Sequence, residues 1–92
     1  MRVMVVFNPV SGGGRGAVHA EAVSRALSTR GHTVELIASE RGDAATWLCN
    51  KLAGVDIAVV VGGDGTVRSV ARAAVEAGCA LLQVPEGNEN LF

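Results

Sequence analysis

The sequence predicts an α/β fold, a doubly wound and mostly parallel sheet of four strands with three helices. Three observations carry that expectation. Short apolar runs alternate with stretches of helical periodicity along the chain. The runs are apolar at consecutive positions rather than alternate ones, as strands covered on both faces are. Gly31, Gly54 and Gly78 each fall just past a helical stretch, where a left-handed C-cap is common.

The first strand is expected over 2–7, with Val3, Met4, Val5 and Val6 in an unbroken apolar run. A helix follows over 17–30, where Val23 and Leu27 lie one turn apart with Ala20 and Ala26 beside them. The second strand is expected over 33–37. A second helix over 43–52 repeats Ala44, Leu48 and Leu52 at i+4, with Asp43 placed to cap its start. The third strand is the run Ile57-Ala58-Val59-Val60-Val61. The third helix, over 66–77, has Val67, Val70, Ala71 and Ala74 as its apolar stripe, and the fourth strand runs from Ala80 to Val84. The pattern shows no internal repeat and no low-complexity linker.

Composition narrows the function classes. A chain of 92 residues makes one small domain with a modest core. It is 49% hydrophobic, yet its aromatics are Phe7, Trp47 and Phe92 alone, so the core must be Val, Leu and Ala. A net charge of −1 with scattered charges argues against nucleic acid, which needs a basic stripe. Cys49 and Cys79 lack metal or redox spacing and read as small buried hydrophobes of a reduced, intracellular chain. Met1 to Val6 is too short for a signal-peptide core. The longest apolar run falls well short of the roughly 20 residues that span a bilayer. The ending, Asn90-Leu91-Phe92 after a polar loop, reads as a cut through a larger protein.

In a parallel sheet of this kind every strand-to-helix loop emerges at one carboxyl edge, where ligands bind. Four loops are expected there, over 8–16, 38–42, 62–65 and 85–90, and three are rich in Gly, Asn and Ser. The densest is Gly62-Gly63-Asp64-Gly65-Thr66 at the end of the third strand. Glycines let the backbone approach a ligand, and consecutive N–H groups form a concave anion site. The helix that follows aims its positive end at the same place. A phosphate-bearing ligand above this loop is the expected occupant.

Each motif also has an ordinary reading. Asn8-Pro9-Val10-Ser11-Gly12-Gly13-Gly14-Arg15-Gly16 lacks the Lys-Ser/Thr pair of a Walker A loop. Gly12-x-Gly14-x-x-Ala17 meets the loose dinucleotide fingerprint, but Glu35 lies inside a strand rather than at its end, where a ribose partner belongs. A linking turn is the alternative. Asp64 either holds a metal, water or hydroxyl beside phosphate, or caps a helix. Thr66 serves a helix N-cap or a phosphate oxygen equally well. His19 and His32 read as solvated surface, Trp47 as a packing residue rather than a base platform, and Arg15 as either exposed or phosphate-touching. The last loop, Pro85-Glu86-Gly87-Asn88-Glu89-Asn90, fixes a nucleoside or is a plain acidic turn.

Together, Asn8-Pro-x-Ser-Gly12, Gly62-Gly-Asp-Gly-Thr66 and Pro85-x-Gly87 resemble the diacylglycerol kinase catalytic domain family, which includes bacterial diacylglycerol kinases and sphingosine and ceramide kinases. The likeness covers nearly the whole chain, but only the family's N-terminal, nucleotide-binding lobe. The glycine-aspartate motif is shared with NAD kinases and phosphofructokinases, whereas the Asn-Pro-x-Ser-Gly start favours the lipid kinases. The resemblance implies that residues 1–92 form the ATP-binding lobe of a two-lobe kinase, with ATP and Mg²⁺ as cofactors. Asn8, Pro9, Val10, Ser11 and Gly12 would border the nucleotide. Gly62, Gly63, Asp64, Gly65 and Thr66, continuing into Val67, Arg68 and Ser69, would cradle its phosphates. Asp64 would engage the phosphate–magnesium–water network and is the candidate catalytic residue; no protein metal site is implied.

Ser39 stands where the family has a nucleotide-contacting Thr, just before a matching Gly42-Asp43-Ala44, and Asn88 stands where it often has Thr. At Ser69 the family often has Glu, so this chain forgoes the reciprocal bond of a Thr-x-x-Glu capping box. The acceptor would be a diacylglycerol-like lipid held by a second lobe, reached from the cytoplasm by peripheral membrane contact. The oligomeric state is left open, a homodimer included. An NAD-kinase-like enzyme, or a degenerate lobe that binds nucleotide without catalysis, are the rival readings.

Overall fold

A computed structural model describes residues 1–9, 15–40 and 47–84. Its elements run β1 (Arg2–Phe7), α1 (Arg15–Thr29), β2 (Thr33–Ala38), a short 3-10 helix (Cys49–Leu52), β3 (Ile57–Val61), α2 (Asp64–Ala77) and β4 (Ala80–Val84). The strands form one parallel sheet in the order β2-β1-β3-β4. The unbroken apolar runs of β1 and β3 therefore occupy the two central positions, where both faces are covered.

Alternate side chains of those two strands feed two separate clusters. Met4, Val6, Ala58 and Val60 pack with Leu48, Leu52, Val70, Ala73 and Ala74 on the α2 side. Val3, Val5, Val59 and Val61 pack with Ala20 on the α1 side, where Val23 and Leu27 cover them. β4 is an edge strand, and Leu81 and Leu82 on it remain largely exposed.

Three expectations need correction. Among the described residues there are two α-helices, not three. Of the helix expected over 43–52, residues 43–46 lie outside the described residues, and Cys49–Leu52 winds as a 3-10 helix. Leu48 and Leu52 still bury as its periodicity required. Ala26 lies exposed rather than beside Val23 and Leu27, because the covered stripe of α1 runs through Gly16, Ala20, Val23 and Leu27. The third expected helix begins at Asp64 instead of Thr66, two residues earlier, so Thr66 sits inside the first turn and is not the N-cap.

The helix-ending glycines behave as expected. Gly31, Gly54 and Gly78 have φ of +91°, +78° and +73°. Gly78 closes α2 in the left-handed conformation, its N–H donating to the carbonyls of Ala74 and Val75. Asp56 fastens β1 to the turn before β3: its carboxylate accepts from the Arg2 N–H at 2.8 Å, and its own N–H donates to the Arg2 carbonyl at 2.8 Å.

Candidate functional site

The strand register brings the loops level. Phe7 pairs with Ala38 and with Val61, and Val61 with Val84. The next residues, Asn8, Ser39 and Gly62, therefore leave the sheet in one row, about 5 Å apart at ordinary strand spacing. The ladder runs one step into that row on both sides. The Ser39 N–H donates to the Phe7 carbonyl at 2.7 Å, and the Gly62 N–H to the Val84 carbonyl at 3.4 Å. Gln83 adds a side-chain bond, its Nε2 donating to the Gly62 carbonyl at 3.5 Å. Sequence reasoning passed over Gln83, although a lone amide in the run Ala-Leu-Leu-Gln-Val was the available signal.

From Gly62 the chain turns directly into α2. Gly62 adopts φ +159°, and a Cβ there would stand 3.6 Å from the Cβ and Oγ1 of Thr66, whose side chain leans over this turn. Gly63 is the N-cap and makes no side-chain cap bond. The first intrahelical bond runs from the Val67 N–H to the Gly63 carbonyl at 3.1 Å, so the N–H groups of Asp64, Gly65 and Thr66 precede the ladder. A Cβ added at Gly63 or Gly65 would meet nothing within 4 Å among the described residues. Packing does not require glycine at either position; the space above them is open. The helix-capping reading of Asp64 is thereby set aside, since Asp64 is the first residue of the helix, exposed, and the cap is Gly63.

A cavity of about 490 Å³ opens over this edge, lined by Asn8, Pro9, Ser39, Glu40, Trp47, Gly65, Thr66, Ser69 and Val70. Six of the expected site residues meet at it: Asn8 and Pro9 after β1, Ser39 after β2, and Gly65, Thr66 and, one turn along, Ser69 in α2. Val67 instead packs against the core cluster. Arg68 is exposed on an adjoining groove with Gly65, Ser69 and Arg72. Val10, Ser11, Gly12 and Asn88 lie outside the described residues. Glu40 and Trp47 are wall residues that sequence reasoning did not assign to the site. The Glu40 carboxylate is 4.0 Å from the Lys51 ammonium, both side chains being about half exposed.

Among the described residues no three His, Cys, Asp or Glu side chains group to hold a metal. His19 and His32 are half-buried on separate elements, and Cys49 and Cys79 are free and half-buried. Burial pushes the Cys79 thiol above its usual 9.0; a backbone hydrogen bond from Ala58 pulls it back, and the Asp56 charge adds to the rise. No helix among the described residues is long and apolar enough to cross a membrane.

A row of strand ends at one parallel edge thus meets the start of α2 at a cavity that polar and apolar side chains line together, the place where ligands bind in parallel α/β folds. A search of curated proteins returned no match. The sequence profile described as "Diacylglycerol kinase catalytic domain" matches residues 2–92, and this chain belongs to that family.

Proposed function

We propose that this chain is the ATP-binding lobe of a lipid kinase, which transfers the γ-phosphoryl of ATP to a lipid hydroxyl such as that of diacylglycerol. The observation that carries the reading is the start of α2. Its N-cap, Gly63, has no side chain with which to occupy the first N–H groups, and among the described residues Gly63 and Gly65 leave open space where phosphate oxygens would approach.

The residues present fit an ATP–magnesium pair in a particular way. ATP with its ion supplies the phosphoryl group to be transferred. The amides of Asp64, Gly65 and Thr66 donate to phosphate oxygens, and the helix dipole adds attraction. With no cluster of three metal-ligating side chains among the described residues, the ion would lean on phosphate oxygens and water, as Mg²⁺ commonly does. Asp64 is the carboxylate at that helix start and would hold the ion's water or the acceptor hydroxyl. Asn8 and Ser39 present an amide and a hydroxyl from the neighbouring strand ends. Phosphoryl transfer rests on positioning and charge stabilisation, which such a site provides without a covalent intermediate. A second lobe, which the family resemblance implies, would bring the lipid acceptor and complete the catalytic groups.

Calorimetric titration with ATP and Mg²⁺, beside an Asp64→Asn variant and with NAD as competitor, tests the binding half. Transfer of labelled phosphate to diacylglycerol by the full-length protein tests the rest. Binding that weakens in the variant and ignores NAD supports the proposal; phosphorylation of NAD in place of lipid overturns it. Ser69 favours a second reading, a lobe that binds without catalysis, because a hydroxyl stands in the cavity wall where the family often has a carboxylate. That reading expects Asp64→Asn to leave the full-length protein's biological activity intact.

A further inference from the structure

We infer that Trp47 is the base-side wall of the cavity, the nucleobase packing on its indole while the phosphates lie at the α2 end. The inference rests on the nucleotide reading above and adds to it the ligand's direction and the residue that holds its base.

The two ends of the cavity differ in chemistry. Gly65, Thr66 and Ser69 form one end, with the helix start and two hydroxyls; Glu40 and Trp47 belong to the other, beyond β2. The sheet order places β1 between β2 and β3, so the chain leaving β2 towards Glu40 and the chain leaving β3 towards the α2 start emerge about 10 Å apart at ordinary strand spacing. A chain of phosphates is drawn to the helix start, while at the other end the Glu40 carboxylate and the Lys51 ammonium 4.0 Å from it offset one another. The uncharged half of the nucleotide therefore falls on the Trp47 side.

Trp47 is prepared for that half in an unusual way. Its Nε1 is buried with no hydrogen-bond partner among the described residues. A tryptophan ordinarily satisfies its N–H and keeps its hydrocarbon covered. Here the polar edge is turned inward, and the side chain offers the cavity carbon alone. The indole is held from behind, since Trp47 packs against the α2-side core cluster and its neighbour Leu48 is fully buried there. A fixed aromatic surface at the uncharged end of an anion site is a stacking platform, and stacking accepts any base with a π-face. Glu40, on the same wall, accepts hydrogen bonds only, so it favours base edges that carry N–H donors.

Trp47 is the single tryptophan of the chain, so its fluorescence reports on this wall alone. The protein is titrated with ADP and with tripolyphosphate, which has the phosphate chain but no base. ADP is expected to quench the emission; tripolyphosphate should compete with ADP yet leave the emission unchanged. By calorimetry Trp47→Ala should weaken ADP roughly 5- to 150-fold, the range for one stacked base, with tripolyphosphate unaffected. Trp47→Phe should restore most of the ADP affinity, which a loss of packing alone would not single out. Equal weakening of ADP and tripolyphosphate in Trp47→Ala, or ADP binding without any change in emission, overturns the assignment of Trp47 while leaving the nucleotide site standing. Failure of both ligands to bind the folded wild-type protein overturns the nucleotide reading and this inference with it. Should Trp47→Ala fail to fold, the wild-type emission and Trp47→Phe still decide.

Discussion

Replacing Gly65 by alanine separates what the helix start does for the fold from what it does for a ligand. Gly65 is the second residue of α2, outside the positive-φ glycines, and an added Cβ would meet nothing within 4 Å among the described residues. The fold gives no reason for glycine there. Alanine is favoured over glycine in a helix by up to ~1 kcal/mol, partly by restricting the unfolded chain, and the first turn realises about half of this. The variant should gain ~0.5 kcal/mol, a rise in Tm of roughly 2–4 °C for a domain of this size. The ligand meets the opposite consequence, because the new methyl stands in the cavity wall where a phosphate oxygen would reach the amide. Loss of one charge-assisted bond, worth ~1.5–3 kcal/mol, weakens ATP about 10- to 150-fold. Circular-dichroism melting and ATP–Mg²⁺ calorimetry on the same preparation measure both quantities. Unchanged affinity at a raised Tm would refute the claim that phosphates approach Gly65, and a Tm lowered by several degrees would show that the glycine serves the fold after all.

Gly78→Ala should do the reverse, costing ~1 kcal/mol because φ of +73° forces alanine into the left-handed region while the nucleotide site 13 residues away (78 − 65) is untouched; urea unfolding beside ATP titration checks this. Leu48→Ala empties a fully buried position between the 3-10 helix and the sheet and should cost ~2–5 kcal/mol, read as a lowered urea midpoint. The Cys79 thiol stays protonated in the fold above the pH at which the unfolded thiol ionises, so the unfolded state loses protons first. Its contribution to stability is complete below 9.0 and disappears as the pH rises further. Wild type should therefore lose more stability than Cys79→Ala between urea midpoints taken below and above 9.0.

Much of this architecture was legible in the residues. All four strands were, because Val3–Val6 and Ile57–Val61 are too continuously apolar for anything but a sheet interior. The start of α2 was misjudged by two residues because Gly63-Asp64-Gly65 is poor helix material, and helix propensity says little about a first turn whose amides need no intrahelical partner. The stretch after β2 was read as α-helix on the spacing of Leu48 and Leu52. That spacing fixes which residues are buried, and the Leu48 carbonyl accepts from both Lys51 and Leu52 N–H, so one 3-10 turn that closes with an i→i−4 bond still buries both leucines. In the site, Asn8 and Ser39 were legible as loop residues of one edge, and Thr66 as a residue of the helix start there. Trp47 and Glu40 were not, because they meet Thr66 only through the order β2-β1-β3, which no local pattern encodes.

That order also governs how the protein is born. β1 is synthesised before both of its neighbours, and the second of them, β3, pairs Val3 with Ile57, 54 residues later (57 − 3). At ribosomal speeds of ~5–20 residues per second this interval is roughly 3–11 s. Throughout it, β1 can recruit β2 on one side while its other edge stays unpaired, with Val3 to Val6 denied the burial they reach in the finished sheet. The nascent chain thus passes several seconds as an adhesive half-sheet. Codon choice and chaperone supply over residues 39–61, more than any contact in the native state, should set how much of it reaches the folded form.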